Sequence, residues 1–341
     1  MKDELVQPSP ALPNERTPNR FRILSLEGGG IMGAFSASVL ATLEEHTGCR
    51  CVHHFDLIAG TSTGGIIAIG LALGLPARTI CDFYVNNGAD IFQNTGFAFR
   101  VLATFRHLFR PKHSQDVLRK TLQTILRKPD GTEFLFGDAH VRLVIPAYDG
   151  LSGRIYILKT QHHRRFVQDV GASAVDVALA TSAAPTYFSA AKFPLHNASY
   201  VDGGVWANCP ALVAVTEAIH FLGVDRKQID VLNVGTTTEP FNTLSRVGSG
   251  ILGWNKGLIN LFMNSQAEAS RAMAKLLVEQ NLHHINYTAP AGTFSLDDAG
   301  RVSELVGLGR AEAVKRDNLE AVQRRFLNGQ HAAPFAATGR A

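Results

Sequence analysis

The chain has 341 residues, of which 45% are hydrophobic and 18% are charged, a balance that predicts a globular protein and excludes a mainly disordered one. Its net charge of +4 is too small to indicate nucleic-acid binding, so we expect neither DNA nor RNA as a partner. Four cysteines are too few for a disulfide framework in a chain of this length, and the spacing of Cys49 and Cys51 does not fit a zinc site. We therefore expect reduced thiols and no metal.

The N-terminal residues lack the basic start and apolar stretch of a secretory signal. The longest apolar run, residues 66–75, is about half of what a membrane-spanning helix needs. We expect a cytoplasmic protein and treat peripheral attachment to the inner membrane as a hypothesis. Prolines at positions 8, 10, 13 and 18 predict a disordered leader over residues 1–20. A single domain is expected over residues 21–328, followed by a flexible tail over residues 329–341.

The ordered part of the chain is predicted to begin with a repeated strand–turn–helix pattern. An apolar strand over residues 21–26 runs into a glycine turn and then a helix that reaches Glu45. The pattern recurs in the strand 55–59, the turn 60–65 and the helix 66–73. Two such units favour a mainly parallel sheet covered by helices, an α/β fold. Further strands are predicted at 141–147, 154–159, 200–201 and 229–234, and further helices at 114–126, 174–180, 210–221 and 303–326.

Residues 100–128 concentrate the positive charge of the chain. They contain eight basic residues and one acidic residue, a net of +7, which leaves the remainder of the chain at −3. Apolar side chains at positions 101, 105, 108 and 109 recur at helical spacing within this segment. Such a basic amphipathic helix either packs on the core or lies on an anionic bilayer, and the pattern alone does not separate the two.

The second turn, Gly60-Thr61-Ser62-Thr63-Gly64, fits the pattern G-x-S-x-G. In a nucleophile elbow of this kind, a serine is held on a sharp strand-to-helix bend with its hydroxyl exposed. The flanking Gly60 and Gly64 are needed because side chains there would collide in so tight a bend. The match lies between an apolar strand and an apolar helix, where the mechanism requires it. Ser62 is therefore the candidate nucleophile, with an ordinary turn serine as the alternative.

The first glycine turn also admits two interpretations. Residues Gly28 to Gly33 satisfy G-x-G-x-x-G after a strand, which is typical of dinucleotide binding. A dinucleotide site needs an acidic residue at the end of the second strand, whereas Asp56 lies near the start of that strand. A P-loop is also not indicated, because no Lys-Ser/Thr pair follows the glycines. The exposed amides of such a turn could instead stabilise the oxyanion of an acyl-transfer intermediate.

A nucleophilic serine needs a base within hydrogen-bonding distance. Asp202 ends an apolar strand and precedes Gly203 and Gly204. We expect its carboxylate at the same C-terminal edge of the sheet as Ser62. The alternative is a simple Asp-Gly-Gly turn.

Taken together, the glycine motif at 28–33, Gly-Thr-Ser-Thr-Gly at 60–64 and Asp-Gly-Gly at 202–204 resemble the patatin-like phospholipases. Residues 180–188 are similar to the family's segment before its catalytic aspartate, and the resemblance covers about residues 21–222. It implies a three-layer α/β/α fold and a dyad of Ser62 and Asp202 with no histidine. It also implies oxyanion-hole amides in the glycine turn and after the nucleophile: Gly28, Gly29, Gly30, Gly33 and Thr63.

The chain departs from the family pattern at Met32, where a basic residue is usual, and at Cys209, where asparagine is frequent. Residues 159–163 and 175–178 resemble bacterial members that are cyclic-nucleotide-activated effectors of anti-phage defence. This narrower likeness suggests a cyclic dinucleotide activator bound by residues 100–128 or by His162 to Arg165, although a solvated loop is at least as strong an alternative for the latter. We expect no cofactor to be required. Assembly into a homo-oligomer is a further hypothesis.

The expected function is hydrolysis of phospholipid acyl esters at a membrane surface, through an acyl-serine intermediate. Two alternatives remain open. One is a soluble esterase or thioesterase with no membrane preference, and the other is a non-catalytic module that binds a nucleotide on its glycine turns.

Overall fold

The computed structural model describes residues 20–92, 114–239 and 251–337, with only the backbone described over residues 251–260. A single eight-stranded sheet forms its centre, in the order β5-β6-β3-β2-β1-β7-β8, with β4 paired to β3. Pairs among β1, β2, β3, β7 and β8 are parallel, whereas β4, β5 and β6 join through antiparallel pairs. The strands are β1 (Phe21–Leu26), β2 (Leu57–Gly60), β3 (Arg142–Asp149), β4 (Arg154–Lys159), β5 (Ala191–Phe193), β6 (Ala198–Asp202), β7 (Ile229–Val234) and β8 (Leu282–Ile285).

Helices cover both faces of the sheet. The described helices are α1 (Gly33–Thr47), α2 (Cys51–His54), α3 (Thr63–Ala72), α4 (Ala77–Ile91), α5 (Gln115–Ile125), α6 (Ala174–Ser182), α7 (Gly204–Ala207), α8 (Ala211–His220), α9 (Ile251–Val278), α10 (Val302–Ala313) and α11 (Arg316–Arg325).

Alternation along the strands divides the buried side chains into two cores. In β1, Leu24 and Leu26 face a core built with α1, α3, α4 and α6. Ile23, the residue before Leu24, points to the opposite face of the sheet and packs in a second core built with α8 and α9. The predicted three-layer α/β/α class is thereby confirmed. Within the described ranges, none of the helices combines the length and apolar character that crossing a bilayer would require.

The position of β6 is the feature that assembles the site. β2 pairs with β3 at residues 142–144, and β6 pairs with β3 at residues 147–149. β4 pairs with residues 144–149 along one edge of β3. β2 and β6 therefore both pair with the opposite edge of β3, one after the other along its length. Because β6 is antiparallel to β3, the C-terminal ends of β2 and β6 point toward each other. Asp202 therefore approaches Ser62 end to end, and not from a parallel neighbouring strand.

Several predicted elements differ in the structure. The single helix predicted at 303–326 is divided into α10 and α11, because Lys315 has extended backbone angles (φ −56°, ψ 134°). After the second helix, Phe326 stacks on Phe55, with ring centroids 5.9 Å apart. The apolar positions predicted at 101–109 lie outside the described residues.

The ends of the predicted domain are only partly described. The leader predicted at 1–20 lies outside the described residues except for Arg20. Part of the predicted tail contacts the domain: the Arg22 guanidinium donates to the Gln330 carbonyl at 2.6 Å, and the Ala332 amide donates to the His53 carbonyl at 2.8 Å. The boundaries at 21 and 328 stay predictions.

Candidate active site

Ser62 lies on a strained turn between β2 and α3. Its φ of 54° and ψ of −124° are uncommon for a residue with a side chain, and such strain is concentrated at functional turns. The motif glycines allow the bend: a Cβ at Gly60 would collide with the Gly64 carbonyl, and a Cβ at Gly64 would collide with the Leu26 carbonyl. The local geometry is that of a nucleophile elbow.

The side chains of Ser62 and Asp202 are hydrogen-bonded. The Ser62 hydroxyl donates to Asp202 Oδ2 at 2.7 Å, and the Gly204 amide donates to Asp202 Oδ1 at 2.6 Å. A Cβ at Gly203 would collide with the Pro146 carbonyl, so this glycine lets β6 turn tightly into α7. The structure thus brings together the two residues that the sequence singles out.

Burial controls the charge of this carboxylate. Asp202 is 3% exposed, and burial raises its pKa to about 6, although hydrogen bonds from Ser62 and Gly204 oppose the rise. Such a group is mostly ionised at neutral pH and is a stronger base than an ordinary aspartate. Its pKa lies close to the value that suits general-base chemistry at neutral pH.

Thr181 also supports the site, and the sequence did not assign it a role. Its hydroxyl donates to the Pro146 carbonyl at 2.6 Å and accepts from the Ser62 amide at 3.1 Å. Its carbonyl accepts from the Gly203 amide at 3.2 Å. One residue at the end of α6 therefore holds both the elbow and the Asp-Gly-Gly loop. Its place in the family-like segment 180–188 was the only sequence signal.

The structure separates the five predicted oxyanion-hole amides into two groups. The Gly28 amide donates to the Asn208 carbonyl at 3.0 Å, and the Gly33 amide caps the short helix of residues 30–32. Both donors are already used. The amides of Gly29, Gly30 and Thr63 have no acceptor in the part of the chain that the structure describes, and all three residues line the cavity at Ser62. Those three remain available to a developing oxyanion.

A cavity of about 250 Å³ opens above the Ser62 hydroxyl. Its walls are mainly apolar and aromatic, which suits an acyl chain. Val205 and Phe262 line it while being 48% and 63% exposed, so its rim presents apolar side chains to the exterior. Other wall residues are Ile66, Phe83, Tyr84, Phe92, Leu118 and Phe188.

The residues suggested for nucleotide binding are only partly available. His162 is buried, with Nε2 3.0 Å from Glu217 Oε1 and Nδ1 3.0 Å from the Thr160 hydroxyl. Lys159 Nζ contacts the other Glu217 oxygen at 2.6 Å. Both ring nitrogens of His162 therefore have partners within the protein. Met32, which departs from the family pattern, accepts a hydrogen bond at its Sδ from the Thr237 hydroxyl at 3.3 Å. It does not line the described cavity.

In this α/β fold, a serine on a strained elbow donates a hydrogen bond to a buried carboxylate. This arrangement defines the site of a serine hydrolase. The family model for patatin-like phospholipases matches residues 24–215. The chain belongs to this family.

Curated relatives agree with this assignment. The chain is 34% identical over 281 residues to a cGAMP-activated phospholipase of Vibrio cholerae, covering 76% of this chain and 78% of the relative. It is 33% identical over 272 residues to a cGAMP-activated phospholipase of Pseudomonas aeruginosa, covering 78% of each. A cUMP-AMP-activated phospholipase of Escherichia coli is 31% identical over 244 residues, covering 69% of this chain and 70% of the relative.

Proposed function

We propose that this protein hydrolyses acyl esters of phospholipids, with Ser62 as the nucleophile and Asp202 as the general base. The observation that carries the proposal is the 2.7 Å hydrogen bond between these side chains at the base of an apolar cavity. The names of the bacterial relatives supply the substrate class.

In the acylation step, Asp202 Oδ2 accepts the Ser62 proton as Oγ attacks the ester carbonyl carbon. The amides of Gly29, Gly30 and Thr63 would stabilise the oxyanion, and the N-terminus of α3 favours the same charge. One such donor is typically worth about 2.7–4 kcal/mol of barrier. Collapse of the intermediate breaks the ester C–O bond, and the leaving alcohol takes the proton from Asp202.

Deacylation repeats these roles with water as the nucleophile. Asp202 accepts a proton from the water that attacks the acyl-serine carbonyl. The second tetrahedral intermediate then releases the fatty acid, and the proton returns to Ser62 Oγ. A dyad suffices because the same carboxylate accepts and donates the proton in both halves, which a pKa near 6 permits.

Regulation is the second part of the proposal. The three relatives are named as activated by cGAMP or cUMP-AMP. We infer that a cyclic dinucleotide activates this chain too, as part of anti-phage defence at the inner face of the membrane. No cofactor enters the proposed chemistry. Self-association on nucleotide binding stays a prediction.

The decisive experiment measures fatty-acid release from vesicles of phosphatidylethanolamine and phosphatidylglycerol, with cGAMP, cUMP-AMP or no nucleotide. We expect one nucleotide to increase release. Ser62→Ala should abolish it, and Asp202→Asn should lower turnover on the order of 10⁴-fold. Wild-type turnover in either folded variant would contradict the dyad.

Two further readouts address the alternatives. Equal turnover of vesicles and a monomeric short-chain ester would favour a soluble esterase or thioesterase. Failure of a fluorophosphonate to label Ser62, in the presence of each nucleotide, would favour a nucleotide-binding module, because such a module has no need of an activated serine.

A further inference from the structure

Helix α9 carries several side chains that reach the loops of the candidate active site. Gln266 Nε2 donates to the Gly204 carbonyl at 2.9 Å, and the Ser270 hydroxyl donates to the Cys209 carbonyl at 2.7 Å. Arg271 Nη1 lies 3.0 Å from Glu27 Oε1. These three residues fall within two turns of one helix, and each contacts a different loop segment.

The contact with Glu27 fixes the entrance to the glycine loop. Glu27 is 3% exposed, and its Oε1 accepts from Asn233 Nδ2 at 2.7 Å as well as from Arg271. The next residues along the chain are Gly28 to Gly30, and the amides of Gly29 and Gly30 are two of the three available oxyanion donors. A buried carboxylate held by two donors has little freedom, so Arg271 constrains where those amides point.

The contact with Gly204 fixes the second loop. The Gly204 amide donates to Asp202 Oδ1, while the carbonyl of the same residue accepts from Gln266. Gln266 thus holds the residue whose amide binds the base carboxylate. The groups that face this carboxylate are the Ser62 hydroxyl and the Gly204 amide, and no charged side chain of the described residues contributes to its pKa.

We propose that α9 sets the active geometry by holding the glycine loop and the Asp-Gly-Gly loop in register, with Arg271 and Gln266 as positioning residues. This inference rests on the proposed function, because it concerns the arrangement of that site. It assigns different consequences to the two contacts. Arg271 acts on the oxyanion donors, whereas Gln266 acts on the base.

The first test replaces the buried ion pair with a neutral pair, Glu27→Gln with Arg271→Met, so that no unpaired charge stays buried. On a monomeric neutral ester in the presence of the activating nucleotide, we expect kcat to fall about tenfold, with KM within about twofold of wild type. Fluorophosphonate labelling of Ser62 should slow by the same factor. Arg271→Lys should retain most of kcat because it keeps the charge.

The second test is Gln266→Met, which keeps the length of the side chain and removes its donor. Loosening Gly204 weakens the hydrogen bond to Asp202, so we expect the acidic limb of kcat/KM to move to higher pH by about 0.5 unit or more. The glutamate–arginine double variant should leave that limb unmoved. If the contacts were only structural, the double variant would not lower kcat selectively, and Gln266→Met would not move the acidic limb.

The matched control is Arg226→Gln with Glu279→Gln, an exposed pair 3.2 Å apart just beyond the C-terminal end of α9. It should match wild type in kcat and in pH profile. Wild-type kcat in the folded ion-pair variant, or an unmoved acidic limb of the pH profile in Gln266→Met, would overturn the inference. The proposed function would still stand if Ser62→Ala abolishes turnover. Turnover that Ser62→Ala does not reduce would overturn the proposed function and this inference with it.

Discussion

At the scale of single residues, the acidity of Asp202 controls both activity and stability. As a base it must be ionised, and its pKa is about 6. We therefore expect kcat/KM on a monomeric neutral ester to fall about tenfold per pH unit below pH 6. A pH profile of the activated enzyme checks this. An acidic limb near pH 4 would instead indicate an ordinary exposed carboxylate as the titrating group.

Burial of Asp202 should also lower the free energy of unfolding when this carboxylate is ionised. The native state holds the Asp202 proton up to about pH 6, whereas an unfolded aspartate loses it near 3.8. Between these values the native state binds more protons, so this group lowers the stability as pH rises. Asp202→Asn has no such cost. We expect it to be more stable than wild type at pH 7.5, by on the order of 2 kcal/mol, with the difference shrinking toward pH 4.

Urea unfolding at the two pH values measures this difference. Asp82→Asn is the matched control, because Asp82 is exposed on α4, and its variant should match wild type at both. A less stable Asp202→Asn at pH 7.5 would show that the hydrogen bonds of the carboxylate outweigh its burial.

At the scale of elements, the contact between α10 and α1 depends on one glycine. A Cβ at Gly309 would lie 2.5 Å from the Phe35 carbonyl oxygen and 2.9 Å from Ser38 Cβ, whereas a Cβ at Gly307 would meet open space. Gly309→Ala should therefore destabilise the protein by about 1–3 kcal/mol. Gly307→Ala should stabilise it by about 0.5–1 kcal/mol, because alanine favours the helix. Urea unfolding of both variants checks the opposite signs, and equal effects would contradict this packing.

The elements that the sequence predicts well are those with a simple pattern. Strand β1 and the turns after β1 and β2 follow from apolar runs that end in glycines. Helix α9 was not predicted, because Ala274 and Val278 face the core while Phe262 and Leu276 are exposed, which leaves no clean apolar stripe. Strand β8 was missed because its sequence, Leu-His-His-Ile, alternates only weakly.

In the candidate site too, only the residues that lie in a simple sequence pattern could be predicted. Ser62 and Asp202 could be singled out because each lies in a glycine-rich motif at the end of a strand. The antiparallel approach of β6, and the contacts of Thr181 and Arg271, could not be predicted. They join residues far apart in sequence, and tertiary packing alone determines such contacts.

At the scale of the whole molecule, the apolar rim of the cavity is the surface suited to a lipid interface. Phe262 lines the cavity and is 63% exposed. Leu276, on the same helix, is 78% exposed but lies about 21 Å further along the axis and does not line the cavity. Burying a phenylalanine side chain contributes about 1.5–3 kcal/mol, so its loss should weaken vesicle binding about tenfold or more.

We therefore expect Phe262→Ser to lower hydrolysis of phosphatidylglycerol vesicles about tenfold while leaving turnover of a monomeric ester within about twofold of wild type. Leu276→Ser should match wild type on both substrates, because it removes comparable apolar surface away from the rim. Assays run with the activating nucleotide present separate docking from activation. Equal losses on vesicles for the two variants would place the membrane contact elsewhere on the molecule. Equal losses on vesicles and monomeric ester for Phe262→Ser would show that this side chain binds the acyl group and does not contact the bilayer.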